Sequence, residues 1–372
     1  MNDPRHEKLA SLLVRHSIRL SPNQRCLIQA TDVPDEMTQA LVNAVYDAGG
    51  YPVVNIVSEK VQRTIAARAG DESITFLAQT ESERMKQMDA YIGITAPRND
   101  REMGDLPPDR RDRYRTRYIG PVHFGIRVPN TRWVVLRYPT EMMAYQAGMS
   151  LGAFEEFFYR VTTDVDYSQM EQAMEAAKAH MERAERVHIT GPGTDLSFSI
   201  AGLPAVPCFG ENNIPDGEIF TAPVRDSVDG TITFNTPSNY DGFIYRNVQF
   251  TFENGRIVSA AGNDTARINA VLDTDEGARF VGEFALGCNP EILNPMENTL
   301  FDEKIAGSFH FTPGNAYDDC DNTNRSAVHW DLVNIQRPEW GGGDITMDDE
   351  LIRHDGVFVH PAFTGLNPEN LG

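Results

Sequence analysis

Residues 26–57, CLIQATDVPDEMTQALVNAVYDAGGYPVVNIV, read as a strand, a helix and a second strand in direct succession. The run Cys26-Leu-Ile-Gln-Ala30 is short and almost wholly apolar, the pattern of a strand covered on both faces. Asp35 to Ala48 follows as an amphipathic helix closed by Gly49-Gly50, and Pro52-Val-Val-Asn-Ile-Val57 reads as the next strand. Strand, helix and strand at this spacing imply a parallel pair. Ala90-Tyr-Ile-Gly-Ile-Thr95 and Arg132-Trp-Val-Val-Leu-Arg137 extend the alternation, each preceded by polar or helical sequence. Upstream, residues 7–17 have helical spacing and are set off by Pro22-Asn23. No Gly-x-Gly-x-x-Gly or P-loop occurs, so nothing marks this sheet as a nucleotide site.

From Tyr138 to about Arg186 the sequence is helical and rich in Met, Ala and Glu, ending where Val187-His-Ile-Thr190 meets the turn Gly191-Pro-Gly193. This places a domain boundary near 185, with domains 1–185 and 186–372. Beyond it the strands shorten and alternate: Asp195–Ile200, Gly230–Phe234 and Val248–Phe252, the last followed by Glu253-Asn-Gly-Arg256, where Asn-Gly favours a tight hairpin. Leu272–Phe280 is expected to be a helix and Asp318–Asn324 an acidic, Asn-rich loop. The fold class is therefore an N-terminal α/β domain with a largely parallel sheet, plus a C-terminal α+β domain rich in antiparallel strands.

Bulk composition narrows the function. At 372 residues and 41% hydrophobic the chain is long enough for two cores. A net charge of −21 argues against a nucleic-acid partner, which needs clustered Lys and Arg. The one basic run, Asp109-Arg-Arg-Asp-Arg-Tyr-Arg-Thr-Arg117, reads as a solvated helix face or a subunit contact. No apolar stretch approaches the roughly 18 residues of a membrane span, and residues 1–8 are polar without a signal-peptide core. No membrane partner is expected, and the cytoplasm is the expected location. Cys26, Cys208, Cys288 and Cys320 are scattered without a Cys-x-x-Cys pair, as reduced packing thiols would be.

Residues 218–331 hold the groups suited to chemistry. Ile214-Pro-Asp-Gly-Glu-Ile-Phe-Thr-Ala-Pro223 puts Glu218 at a strand start among apolar neighbours, and Val281-Gly-Glu-Phe-Ala-Leu-Gly287 embeds Glu283 in the same way. A carboxylate so placed needs a partner or a metal. His310 stands between two phenylalanines in Gly307-Ser-Phe-His-Phe-Thr-Pro-Gly314. In Ser326-Ala-Val-His-Trp-Asp331, read as an extended strand, His329 and Asp331 share a face and form half of a site for a divalent cation. Tyr317 offers a phenol to a metal or to a developing oxyanion. His188 and His354 sit beside turns and read as structural. No His-Glu-x-x-His is present, which leaves no signature of the zinc peptidases that carry it.

At these residues the chain resembles the aminopeptidase T / aminopeptidase S family of metallopeptidases. Gly191–Leu196, Ile214–Pro223, Val281–Gly287 and Arg132–Thr140 resemble that family's motifs, and its ordered set of metal-binding Glu, Glu, His, Tyr, His and Asp falls on Glu218, Glu283, His310, Tyr317, His329 and Asp331. The resemblance implies a dimer enclosing its active sites and a centre of two divalent ions (Zn, Co or Mn). With it goes hydrolysis of a small peptide or amide, in which Glu218, Glu283 and Tyr317 are the catalytic candidates. The chain departs from the family in a shorter stretch between Tyr317 and His329, and in Phe-Thr-Pro-Gly after His310. A related branch, 2,5-dihydroxypyridine dioxygenase, has a short loop there and uses one Fe(II) for ring cleavage. It lacks the two glutamates that this chain keeps.

Overall fold

The computed structural model describes residues 3–99 and 101–371. Met1 and Asn2 of the polar opening lie outside them. The chain forms two compact units: Met1–Thr163 with Gly210–Pro215, and Asp164–Phe209 with Asp216–Gly372. The division falls at 163/164 rather than near 185. The helix Tyr167–Met181 buries Tyr167, Met170, Met174, Ala177 and Met181 and packs on the strand Val206–Cys208, so it belongs to the second unit.

In the first unit the described residues form a five-stranded sheet, ordered Tyr51–Val57, Arg25–Thr31, Ala90–Thr95, Arg132–Arg137, Asn213–Ile214. Every pairing in it is parallel. The helix Asp35–Asp47 carries Asp35 and Glu36 in its first turn, where they oppose the helix dipole, and buries Met37, Leu41 and Val45 at helical spacing. The basic run is partnered inside its own unit: Arg113 and Arg117 pair with Asp71 at 3.0 and 3.2 Å.

Among the described residues the second unit contains a two-stranded antiparallel ribbon, Ser238–Tyr240 with Phe243–Tyr245, and two larger antiparallel sheets. One has eight strands; the other has five, ordered Leu332–Ile335, Ser308–Pro313, Val281–Gly287, Glu218–Thr221, Val206–Cys208. Phe198 of the larger sheet meets Phe284 and Phe311 of the smaller with ring centroids 5.0 and 5.1 Å apart, and Phe252 meets Phe311 at 5.8 Å. This aromatic layer is the core. Because side chains alternate along a strand, Phe284, Phe309 and Phe311 point into it while Glu283, Ala285 and His310 point the other way.

The structure departs from two sequence expectations. The helix placed at Leu272–Phe280 lies upstream, at Thr265–Leu272, where the Asp264 carboxylate accepts from the Arg267 N–H; only a short 3-10 turn, Gly277–Arg279, falls in the expected span. Ser326–Asp331 is not a regular strand. The Asp275 carboxylate accepts from the Ser326 hydroxyl and the Ala327 N–H, both at 2.7 Å, and holds that segment off the ladder. His329 keeps a single bridge to Gly314, and regular pairing begins at Leu332. Among the described residues no helix is long and apolar enough to cross a membrane.

Candidate metal centre

The strand Glu218–Thr221 begins where Gly217 takes φ +129°, with any Cβ facing the Asn289 backbone at 3.0 Å. Only glycine fits both demands, and the turn delivers Glu218 to the sheet opposite Gly287. On the next strand Ala285 pairs with both Phe220 and His310, a small residue that leaves room between the flanking acids and the imidazole.

The side chains converge. Glu283 sends Oε1 to within 3.3 Å of His310 Nε2 and Oε2 to within 3.3 Å of His329 Nε2. Asp331 Oδ1 lies 3.2 Å from His329 Nε2, and Glu218 Oε2 lies 3.7 Å from His310 Nε2. Two donor groups result, Glu218–Glu283–His310 and Glu283–His329–Asp331, each with ligand atoms within 4.8 Å of one another, and Glu283 belongs to both. The sixth expected residue, Tyr317, stands at the rim: its ring is 4.7 Å from that of His329 and 5.8 Å from Phe220, and 47% of its surface is exposed.

Outer contacts prepare this cluster for a cation. His310 Nδ1 faces the Glu303 carbonyl at 3.3 Å and His329 Nδ1 faces the Asn315 carbonyl at 2.9 Å. A carbonyl only accepts, so each Nδ1 carries a proton, which leaves Nε2, on the carboxylates' side, as the nitrogen that takes either a second proton or a metal ion. The Thr312 hydroxyl donates to Asp331 Oδ1 at 2.8 Å and fixes that carboxylate. Glu218 Oε2 is buried with no hydrogen-bond partner, a deficit that a metal ion would relieve.

Electrostatics lead to the same conclusion. Burial disfavours charge on His310, yet the carboxylates of Glu283, Glu218 and Asp331 outweigh it and push its pKa up to about 10. His329 is raised likewise against burial, by Asp331 and Glu283. Glu218 is raised, chiefly by burial. Asp331 is depressed despite burial, because His329 faces it. The pocket has a deficit of positive charge, which protonated imidazoles or divalent ions can make up.

Sequence reasoning missed one cation already in place. Lys304 is fully buried, with Nζ 2.6 Å from Glu303, 2.9 Å from Glu218 Oε1 and 3.6 Å from Asp216. Burial opposes its charge, but those carboxylates hold its pKa well above the ordinary lysine range. The available signal was Glu303-Lys304 set between Phe301 and Ile305, charges in an apolar frame. His188 and His354 instead pair with the carboxylates of Asp195 and Asp344 at exposed positions.

The sequence pattern of the thermophilic metalloprotease family (M29) matches residues 2–358. Aminopeptidase 2 of Geobacillus stearothermophilus is 26% identical over 84% of this chain and 83% of its own length. Aminopeptidase AmpS of Bacillus subtilis is 36% identical over a shorter stretch, 35% of either chain. Among solved structures, wild-type AmpT from Thermus thermophilus superposes with a TM-score of 0.79 at 22% identity, over 96% of this chain and 99% of that one. The 2,5-dihydroxypyridine dioxygenase of Pseudomonas putida KT2440 superposes at 0.61 and 15% identity, over 96% and 98%. Both superpositions concern the fold alone.

Proposed function

The chain belongs to the thermophilic metalloprotease family, M29, and on that premise we propose that it is a metallo-aminopeptidase, cleaving a small peptide or amide at a pair of adjacent divalent ions. The observation that carries this reading is the placement of Glu283, whose two oxygens each face a different imidazole. Glu218 and His310 would hold one ion, His329 and Asp331 the other, with Glu283 between them. Bound there, two ions of Zn, Co or Mn would lower the pKa of a water and polarise the scissile carbonyl.

The chain's own groups do the rest. Glu218 is anchored through Oε1 by Lys304, which leaves Oε2 to the ion that Glu218 and His310 would hold. Tyr317, at the rim beside His329, is placed to donate to the carbonyl oxygen as negative charge develops on it. Desolvation on its site-facing side, then the carboxylates of Glu283 and Asp331, raise its pKa, so its hydroxyl keeps the proton it must donate. The surplus of carboxylates favours a substrate whose amino terminus is free and positively charged. We place the protein in the cytoplasm as a homodimer, the latter to be checked by light scattering.

The runner-up is a ring-cleaving dioxygenase with His310, His329 and Asp331 as a facial triad on one Fe(II), acting on a dihydroxypyridine-like substrate. The structural likeness to the dioxygenase favours it. Against it, Glu218 and Glu283 would crowd a single iron with anionic donors and fill the positions that dioxygen and substrate require. Metal analysis of the purified protein, with assays of Leu-p-nitroanilide hydrolysis and of oxygen uptake on dihydroxypyridines, separates the two. About two Zn, Co or Mn per chain with amide cleavage is the expected result. One iron per chain with oxygen consumption would replace the proposal by its rival.

A further inference from the structure

The first unit has a cavity of about 480 Å³ that the metal chemistry does not use. It opens at the carboxyl ends of its strands: Thr31, Thr95 and Arg137, the last residues of three adjacent parallel strands, all line it. The strand Arg25–Thr31 is followed in sequence by its neighbour on one side, Tyr51–Val57, and then by its neighbour on the other, Ala90–Thr95. Connections leaving in opposite directions create a crevice at that edge, the place where open α/β sheets bind ligands. Tyr114, Tyr118 and Ile119 give the cavity an aromatic and apolar wall.

Arg127 also lines this cavity and is only 9% exposed, yet its Nε has no hydrogen-bond partner. Among the described residues the groups it touches directly are two rings. Its guanidinium lies 3.6 Å above the Tyr91 ring, and Nη1 is 3.2 Å from His123 Nδ1. The platform is built into the strand, because a Cβ at Gly93 would meet the Tyr91 ring at 2.8 Å, so glycine lets that ring lie along the sheet under the guanidinium. A buried cation without an anionic partner is costly to maintain, and a ring face compensates only part of that.

The surroundings select among anions. The loop after the first strand, Thr31-Asp-Val-Pro34, has no glycine to cradle a phosphate, its proline has no N–H to give, and the Asp32 carboxylate accepts from the Glu59 N–H. Glu59 and Arg137 line the same cavity and offset each other's charge, so Arg127 leaves one positive charge there, which a single carboxylate balances. We infer that this cavity is a second small-molecule site, taking a singly charged carboxylate with an aromatic or apolar body, its carboxylate pairing with Arg127 and its body lying against Tyr114 and Tyr118. The inference is independent of the metal reading, since every lining residue belongs to the first unit.

Calorimetric titration of the full chain with 3-phenylpropanoate, its neutral amide 3-phenylpropanamide, and phenyl phosphate tests it. The carboxylate should bind about tenfold to a hundredfold more tightly than the amide, the range of a charge-assisted pair. That preference should persist in His329→Ala and vanish in Arg127→Gln. Ile119→Trp, which leaves the buried Arg127 in place, serves as a second variant that fills the cavity and should abolish binding. Equal affinity for acid and amide, no binding at millimolar ligand, or tighter binding of phenyl phosphate would each overturn the inference. A preference lost in His329→Ala would assign the ligand to the metal centre and overturn it too.

Discussion

Replacing Lys304 by methionine removes the buried ammonium beside the centre while keeping the length and apolar stem of the side chain. In the native arrangement Nζ is fully buried and contacts three carboxylates, Glu303, Glu218 and Asp216, at 2.6, 2.9 and 3.6 Å. Taking away one partner of a buried pair leaves the other charge uncompensated, and such changes cost about 3–5 kcal/mol. For a unit of this size each kcal/mol shifts the melting temperature by roughly 2–4 °C, so Lys304→Met should melt about 10 °C below the parent in the presence of a chelator. Divalent ions supply positive charge to Glu218, one of those carboxylates, so saturating zinc should recover a larger share of stability in the variant than in the parent. Scanning calorimetry of both proteins with chelator and with zinc measures all four values. Identical melting of parent and variant under chelation would refute the reasoning, since the carboxylates would then have no need of the ammonium.

Glu283→Gln removes half a charge pair from each donor group and should abolish amide hydrolysis with the fold intact; unchanged turnover would remove Glu283 from the centre. In chelated protein the two imidazoles should make stability depend on pH. Burial opposes charge on His310, but its neighbours raise its pKa to about 10, above the unfolded value of ~6.5. A group raised on folding stabilises fully below its unfolded pKa and loses that contribution as pH rises through the folded one. Chelated protein should therefore lose stability from about pH 6.5 to 10, while zinc-saturated protein, with Nε2 occupied, should not show this loss. Melting temperatures that run parallel across that range would count against the assignment.

Much of the centre was legible because its residues break a local rule in sequence. Glu218, Glu283 and His310 interrupt apolar strands, and alternation alone predicts that each turns away from its immediate neighbours, Ile219 for the first, Phe284 for the second, Phe309 and Phe311 for the third. Lys304 gave a weaker signal: its partner Glu218 is 86 residues away, and no local pattern reports a pairing at that distance. The spacing of His329 and Asp331 suggested a shared face, and they do meet, but through a segment bent off the sheet by Asp275, an acid 51 residues upstream of Ser326. The parallel sheet followed from its strand–helix–strand text. Its fifth strand, Asn213–Ile214, did not, because two residues carry no periodicity and their place beside Arg132–Arg137 is fixed only by long-range pairing.

That brief fifth strand has a consequence for biosynthesis. The polypeptide finishes Met1–Thr163, builds Asp164–Phe209 of the other unit, and only then contributes Gly210–Pro215 to the first. Emerging from the ribosome, the leading sheet therefore waits with an open margin at Arg132–Arg137 until some fifty more residues have been translated, roughly three to ten seconds at ordinary elongation rates. A fragment ending at Thr163 would keep that margin bare permanently and invite strand pairing between molecules. Excision of the leading unit as a soluble piece will require Gly210–Pro215 to be grafted back.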